Sequence, residues 1–560
     1  MSEQDADIET LMRDAGELHG AGKIGMAENA YKAVLRKQRN HAGAMHLLGV
    51  ITCQRGNVET GIRMIERALR VQPSFPEALT SLSVVYLGVG DAAKSLEMAE
   101  AALAQDDAHV AALYAKARAL IRLKASRGVA DTLARIDGLK PDDPWVIRNW
   151  ASALLALEEF AEAERIFSRQ LECDPDNRDA WCSRARAIKG QGRFVEALDM
   201  LNDLLAAHPD YVPAMIHAGD ALQSLGRYDE AITLFRRAVE TQPDHAEAHF
   251  NLGVELLSRG EFHDGWREYA WRFRMEAYAG FRPPIPAPIW AGEPLAGKRI
   301  LLYAEQGLGD TIQFARYAAP LAAAGAEVHC ICSNLLAELI ATIDGVADVH
   351  GFGGSVPSFD YQISMMELPH VFDTTPATVP GKIGYIRPPV RSFDPNAGFN
   401  VGLVWQGNRA HKNDTYRSIP LERLNDLLDC HGVRFVSLQY GDDAAAIRTL
   451  GWQDRMLDMA PRIKGFVDTA DIVAGLDLVI TVDTSVAHLA GALGTPVWVM
   501  LPTIADWRWG REGSTTCWYD SMRLFRQHTL GDWAPVITSV LDKLTALVEG
   551  PTGDVPEEQV

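Results

Sequence analysis

The sequence predicts two fold classes in one chain: an all-α array of helical hairpins over residues 8–279, then an α/β region of two lobes from residue 298 onward. Three observations carry this reading. Pro73, Pro141, Pro175, Pro209 and Pro243 lie at multiples of 34 residues, with Asp107 filling the missing register. Pro283, Pro284, Pro286, Pro288 and Pro294 then forbid a continuous helix. From Lys298 the pattern changes to short apolar runs such as RILLYAE, EVHCICS and DLVITVD alternating with amphipathic stretches.

The repeat register is seen in side-chain size as well as in proline. Ten residues beyond each mark stand Ser83, Ala117, Ala151, Ala185, Gly219 and Gly253, preceded by Gly49 and Ala15, all of them small. Twelve residues further come Ala27, Gly61, Ser95, Val129, Ala163, Ala197, Ala231 and Gly265, small except for Val129. One turn later, bulky residues such as Tyr31, Ile65, Phe167 and Phe235 fill the space between two helices that cross closely. Segments such as ALQSLGRYDEAITLFRRAVETQPDH resemble the tetratricopeptide repeat (TPR) family across eight units. The resemblance implies a right-handed superhelix whose concave groove receives a protein or peptide. A purely structural solenoid is the alternative.

Bulk properties narrow the function. At 560 residues the chain exceeds a single core, and 47% apolar with 23% charged residues is ordinary for globular domains. A formal charge of -20 argues against nucleic acid as the main partner. Seven cysteines (53, 173, 182, 330, 332, 430, 517) without a CxxC pair fit neither a disulfide framework nor a zinc site, and read as reduced thiols. The acidic start MSEQDADIETLMRD lacks a signal-peptide pattern and no apolar run reaches about 18 residues, so a cytoplasmic chain without membrane insertion is expected.

Between the halves, FRPPIPAPIWAGEPLAGK reads as a stiff strap over residues 280–297, with Trp266, Trp271 and Trp290 packing nearby. The first lobe covers residues 298–390 and includes the amphipathic stretches TIQFARYAAPLAAAG and NLLAELIATI. After the break GYIRPPVRSFDPN, the second lobe covers 398–548 and includes LERLNDLLDC, and 549–560 forms a disordered tail. Ligands of parallel sheets bind beyond the carboxyl ends of the strands, which directs attention to three loops.

The first loop, EQGLGDTIQF, places Gly307 and Gly309 in a tight turn and Asp310 at a helix start, where N-capping would explain it without chemistry. It fails as a dinucleotide fingerprint, because Ile312 stands where the last glycine belongs. The second, WQGNRAHKNDTYRSIP, gathers Arg409, His411, Lys412 and Arg417, cations suited to phosphate oxygens. The third, VITVDTSVAHLAGALGTP, ends a strand at Asp483 and places Thr484, Ser485 and His488 in the first turn of a small-residue helix. Such a turn offers unpaired amides and a partial positive charge to a phosphate. A satisfied core histidine is the plainer reading of His488.

Together GLGDTIQF, GLVWQGNRAHKNDTYRSIP and VDTSVAHLAGALGTPVW resemble the heptosyltransferase-like branch of GT-B glycosyltransferases over residues 298–545. The resemblance implies two Rossmann-like lobes, the first on the acceptor side with its Gly307–Gly309 loop and the second holding a nucleotide sugar. It implies Asp310 as general base and Lys412, Asp483, Thr484, Ser485 and His488 on the donor diphosphate and sugar, with Arg417 beside them. Ser485 departs from the glycine usual there. No cofactor beyond the nucleotide-sugar substrate and no metal is implied, and the one DxD-like pattern, Asp174-Pro175-Asp176, lies in a repeat turn.

Repeats fused to such a module resemble O-linked N-acetylglucosamine transferases and, more, bacterial flagellin glycosyltransferases. The expected activity is therefore inverting, metal-independent sugar transfer to Ser or Thr hydroxyls of a protein acceptor recruited by the repeats, flagellin being the first candidate. The alternatives are a lipid or saccharide acceptor and a non-catalytic scaffold with a degenerate transferase domain. Hexosamine, heptose and nonulosonic acid donors all remain open.

Overall fold

The protein, seen as a computed structural model, is described for residues 3–354, 356–381, 383–387, 398–409, 411 and 414–549. Lys412, most of the 549–560 tail and the 388–397 part of the second proline-rich break lie outside the described residues. Two compact units divide the chain at 217/218, inside the helix Val212–Ser224 rather than at the proline-rich strap.

The 34-residue period is realised as paired helices. The first helix of successive hairpins begins at Ala42, Pro76, Val110, Pro144, Arg178, Val212 and Ala246, and the full array holds sixteen helices from Glu3–Gly20 to Phe262–Tyr269. The small positions are where the pairs touch. A Cβ on Gly61 would lie 2.6 Å from the Gly49 carbonyl oxygen, and one on Gly219 would lie 2.4 Å from the Phe235 ring. Ser83 and Ser95 meet at the same crossing through a 3.0 Å hydroxyl contact, the polar version of the same close approach. Val129, the larger exception, is accommodated in the core at 4% exposure.

Within residues 218–560, the strands form two wholly parallel sheets. The first contains β1 (Arg299–Tyr303), β2 (Glu327–Cys332), β3 (Val346–Gly351) and β4 (Tyr361–Ser364) in the order β3-β2-β1-β4. The second contains β5 (Phe399–Val404), β6 (Val433–Ser437), β7 (Met456–Asp458), β8 (Leu478–Val482), β9 (Val497–Leu501) and β10 (Met522–Arg526), ordered β10-β9-β8-β5-β6-β7. The near-continuous apolar runs follow from burial on both faces: all five residues of β8 and of β9 are buried. Ile300 registers against Val328 and Tyr361, and Val401 against Phe435 and Leu478, so β1 and β5 are the central strands from which the order runs outward in both directions.

Two expected helices come out differently. TIQFARYAAPLAAAG is broken into Leu308–Phe314, a 3-10 turn Ala315–Tyr317 and Ala318–Ala323, because Pro320 has no N–H for the ladder. LERLNDLLDC forms two 3-10 turns, Leu421–Leu424 and Leu427–Asp429, with Asn425 and Asp426 between them interrupting the helix.

The strap is stitched to the edge of β4. Trp290 N–H donates to the Gln362 carbonyl (3.0 Å), the Gln362 amide nitrogen donates to Pro288 (2.9 Å), and Gln362 Nε2 donates to the carbonyls of Ile285 (2.8 Å) and Ala287 (2.7 Å). Prolines are tolerated there because the strap is an edge.

The last repeat helices belong to the same compact unit as the sheets for a physical reason. Trp266 is buried edge-on against Trp507 (5.2 Å between centroids) and Phe314 (5.9 Å). Arg272 pairs with Glu305 just beyond β1, both fully buried, and Ser364 donates to the same carboxylate. Trp271 instead stacks on His249 at 3.7 Å, and Trp290 meets Phe372 at 5.8 Å, so the three tryptophans serve three separate contacts.

Candidate functional site

Each sheet changes direction beside its first strand, and the loops at those two switch points face one another. In the first sheet the loop after β1 carries Gly307–Asp310; in the second, the loops after β5 and β8 carry Asn408–Arg417 and Asp483–His488. Crevices of this type are where open parallel sheets bind ligands. A cavity of about 430 Å³ lies there, lined by Gly307, Gly309, Asp310, His411, Arg417, Asp483, Thr484, Ser485 and His488, so the described candidate residues other than Arg409 converge.

Asp310 does not cap its helix in the expected way. Gly307 occupies the N-cap, and Asp310, at the third helical position, reaches back so that Oδ2 accepts the Gly307 N–H at 2.7 Å. Glycine has no side chain to cap the turn, which leaves the carboxylate to satisfy the exposed amide. The other oxygen, Oδ1, accepts from Arg508 Nη2, an ion pair joining the two lobes. Arg508 also donates through Nε to Gln313 Oε1 (2.8 Å) and through Nη1 to Asp506 Oδ1 (2.7 Å). Burial raises the Asp310 carboxyl above its ordinary value, against the opposing pull of Arg508 and the Gly307 amide. Burial alone would lower Arg508, but Asp310 and Asp506 reverse this and hold it firmly protonated.

On the opposite wall, Thr484 caps the helix Ser485–Leu493: its Oγ1 accepts from the Val486 N–H at 3.3 Å and meets Thr481 Oγ1 at 3.1 Å. Asp483, immediately before the cap, is pushed up to about 6 by burial and by the neighbouring Asp506 carboxylate. His488 is oriented by Tyr519 OH, 3.0 Å from Nδ1, and stacks on Trp509 at 5.1 Å. Burial, then the nearby cations Arg508 and Arg316, keep it well below its usual pKa, so its imidazole is neutral. Gly309 makes the lobe contact possible, since a Cβ there would sit 2.8 Å from His488 Cδ2.

The basic loop is less available to phosphate than its composition suggests. Arg417 donates through Nε to Asp414 Oδ1 (3.1 Å) and through Nη1 to the Asp483 carbonyl (3.0 Å). Asp414 also accepts from Ser418 Oγ (3.0 Å), so the guanidinium braces the loop after β5 against the end of β8. Arg409 turns away to pair with Asp443. With their charges already matched, these two arginines position the wall more than they concentrate positive charge.

A second cavity of about 610 Å³ adjoins the first and shares Leu308, Asn408, Thr484 and Ser485 with it. Its walls include Val404, Leu438 and Val486, with Asp442 and Lys464 at polar positions. Arg508, Asp506 and Gln313 were not among the sequence candidates. Asp506 and Arg508 lie on the segment TIADWRWGREG that follows β9, while Gln313 lies on the helix Leu308–Phe314, and the buried cation becomes recognisable only once Asp310 faces it.

Comparison with known proteins identifies the helical part. TPR models match residues 148–212 and 190–253, so this region consists of tetratricopeptide repeats. Protein FlbA of Caulobacter vibrioides (strain ATCC 19089 / CIP 103742 / CB 15) is 29% identical over 315 residues, 50% of this chain and 52% of that protein. The chain thus matches about half the length of this curated relative. Solved structures with similarity include YrrB, titled a TPR protein with an unusual peptide-binding site (17% identity, 33% of this chain and 95% of that one, TM-score 0.29). Another is Naa15/Naa10 bound to HypK-THB (18% identity, 48% and 43%, TM-score 0.36). No helix among the described residues is long and apolar enough to cross a membrane.

Proposed function

We propose that this chain is a glycosyltransferase of the GT-B type that transfers a sugar from a nucleotide-activated donor to a protein hydroxyl, with the repeats recruiting the acceptor. The observation that carries the reading is the pairing of two switch-point loops across one cavity: a carboxylate, Asp310, on one wall and a capped helix start, Thr484–Ser485, on the other. A glycosyl transfer by direct displacement needs a base on the acceptor side and charge stabilisation on the leaving-group side.

Asp310 suits the first role. A carboxylate has about four acceptor positions, and the Gly307 amide and Arg508 account for two, leaving room for an acceptor hydroxyl. Its raised pKa makes it a stronger base than an exposed aspartate. In the reaction the acceptor oxygen would form its bond to the anomeric carbon as the phosphate leaves, its proton passing to Asp310, with inversion at that carbon.

The amides at the start of the helix Ser485–Leu493 suit the second role. Asp310, Asp483 and Asp506 face only Arg417 and Arg508 among the described charged side chains lining the cavity, so helix amides would carry much of the phosphate charge. Neutral His488 would serve as a hydrogen-bonding group rather than a cation. The adjoining apolar cavity has the size and position for the nucleoside.

A scaffold without activity is favoured by one observation, the ion pairing of Asp310 by Arg508, which would suffice to explain the acid as a structural brace. Thermal unfolding of the full chain with a panel of nucleotide sugars separates the readings. A donor should raise the transition in a concentration-dependent way, and the Ser485→Trp variant should abolish the rise. Absence of any shift across UDP-, GDP-, ADP- and CMP-linked sugars would favour the scaffold.

A further inference from the structure

A second group of chemically versatile side chains lies on the first sheet, away from the cleft. His329 on β2 and Asp348 and His350 on β3 are brought together by the register, which pairs His329 with Asp348 and Ile331 with His350. One ligand-capable atom from each lies within 4.8 Å of the others. His329 is 5% exposed, His350 is partly buried and Asp348 is open to solvent.

The hydrogen bonds fix how these groups face one another. Glu327 Oε1 lies 2.8 Å from His329 Nε2 and Arg299 Nη2 lies 3.4 Å from the same nitrogen; in the tautomer that donates Nε2–H to Glu327, Nδ1 keeps a lone pair. That lone pair points at His350 Nε2, 3.2 Å away, and Asp348 Oδ2 lies 3.8 Å from the same nitrogen. The two imidazoles are parallel within 3°, and Phe359 packs edge-on to His329 at 5.2 Å, giving the pair one dry wall.

We propose that His329 Nδ1, His350 Nε2 and Asp348 Oδ2 form a site for a borderline divalent cation, with Zn²⁺ the best match. Two nitrogens bound at about 2.1 Å around a tetrahedral zinc stand roughly 3.4 Å apart, close to the separation the sheet already imposes. Two imidazoles and a carboxylate select zinc-like ions over magnesium or calcium. Glu327 supplies the outer carboxylate that typically orients a ligating histidine. Solvent at Asp348 leaves the fourth position to water.

Without metal, the gap is bridged by one N–H···N hydrogen bond between His329 Nδ1 and His350 Nε2. Binding requires the bridging proton to leave its facing nitrogen and one to be taken up at the far nitrogen of the same ring, so that both facing nitrogens present lone pairs to the ion. The ion would clip β2 to β3 at the sheet's outer edge, a structural role independent of sugar transfer.

The test uses full-length chain stripped with a chelator, then equilibrated with Zn²⁺ and analysed for bound metal, with Co²⁺ as a coloured probe of four-coordinate geometry. The native chain is expected to retain a single Zn²⁺ and to give intense visible bands with Co²⁺, and His350→Gln is expected to lose both. The exposed Asp348→Asn, which leaves the core untouched, should weaken binding by at least about tenfold, the loss that even an outer partner of a ligand produces. Equal metal retention by native and His350→Gln chains, or no retention by the native chain, would overturn the site. If His350→Gln fails to fold, unchanged affinity in Asp348→Asn would overturn it instead.

Discussion

Arg508 and Asp310 form a largely buried ion pair across the cleft: Arg508 Nη2 donates to Asp310 Oδ1, while Nη1 holds Asp506 on its own loop at 2.7 Å. One guanidinium thus ties the proposed base of the first lobe to the donor wall of the second. Removing it leaves two carboxylates, Asp310 and Asp506, without their cation. Arg508→Ala should therefore destabilise the chain by about 3–5 kcal/mol, measured by urea unfolding, with Arg508→Lys losing distinctly less. A loss below about 1 kcal/mol in the alanine variant would mean that the pair is solvated.

Asp483 gives a pH signature. Its folded pKa is raised from 3.8 to about 6, so between these values the folded chain binds more protons than the unfolded one. Stability from this group is therefore full below about pH 4, falls as pH rises toward 6 and is flat above it. Asp483→Asn should remove that slope and be more stable than the native chain at pH 8, by on the order of 1–3 kcal/mol. Parallel stability curves for the two chains between pH 4 and 7 would contradict the assignment.

The lobe contact at Gly309 predicts a selective loss. A methyl group there would press on the His488 ring, which is itself held by Tyr519 and Trp509. Gly309→Ala should cost about 1–3 kcal/mol through overpacking and weaken any nucleotide-sugar shift in thermal unfolding. Retention of native ligand response and stability would show that the lobes separate easily there.

Two glycines in the repeats should respond in opposite directions. A Cβ on Gly61 would lie 2.2 Å from Cys53 Sγ, whereas one on Gly138 meets nothing within 4 Å. Gly61→Ala should lose about 1–3 kcal/mol. Gly138→Ala, exposed in the last turn of the helix Ser126–Leu139, should gain up to about 0.5–1 kcal/mol. Calorimetry of the two variants checks both signs.

Much of this architecture is legible in the residue order because it depends on local period. The 34-residue spacing of Pro73 to Pro243, and small residues such as Gly49 and Gly61, predict helix pairs that the structure places in contact. The candidate residues Asp310 and Asp483 to His488 converge because both sit at strand ends beside a sheet's switch point, a rule that follows from topology. Longer-range pairing is what a local reading misses. Arg508 is 198 residues from Asp310, and His329 and His350 meet only through the β2–β3 register. Likewise Arg409 and Arg417 read as phosphate ligands until Asp443 and Asp414 are seen beside them. The boundary at 217/218 depends on Trp266 and Arg272 packing against distant partners, which no proline pattern encodes.

The central claim is that Asp310 accepts a proton from a protein hydroxyl during sugar transfer. Its most direct test is the intact mass of the acceptor, flagellin first, isolated from cells carrying the native chain, the Asp310→Asn variant or no chain. A mass raised by whole sugar units is expected only with the native chain, with the variant folded and present at normal level. An identical acceptor mass in all three, or full modification by Asp310→Asn, would contradict it.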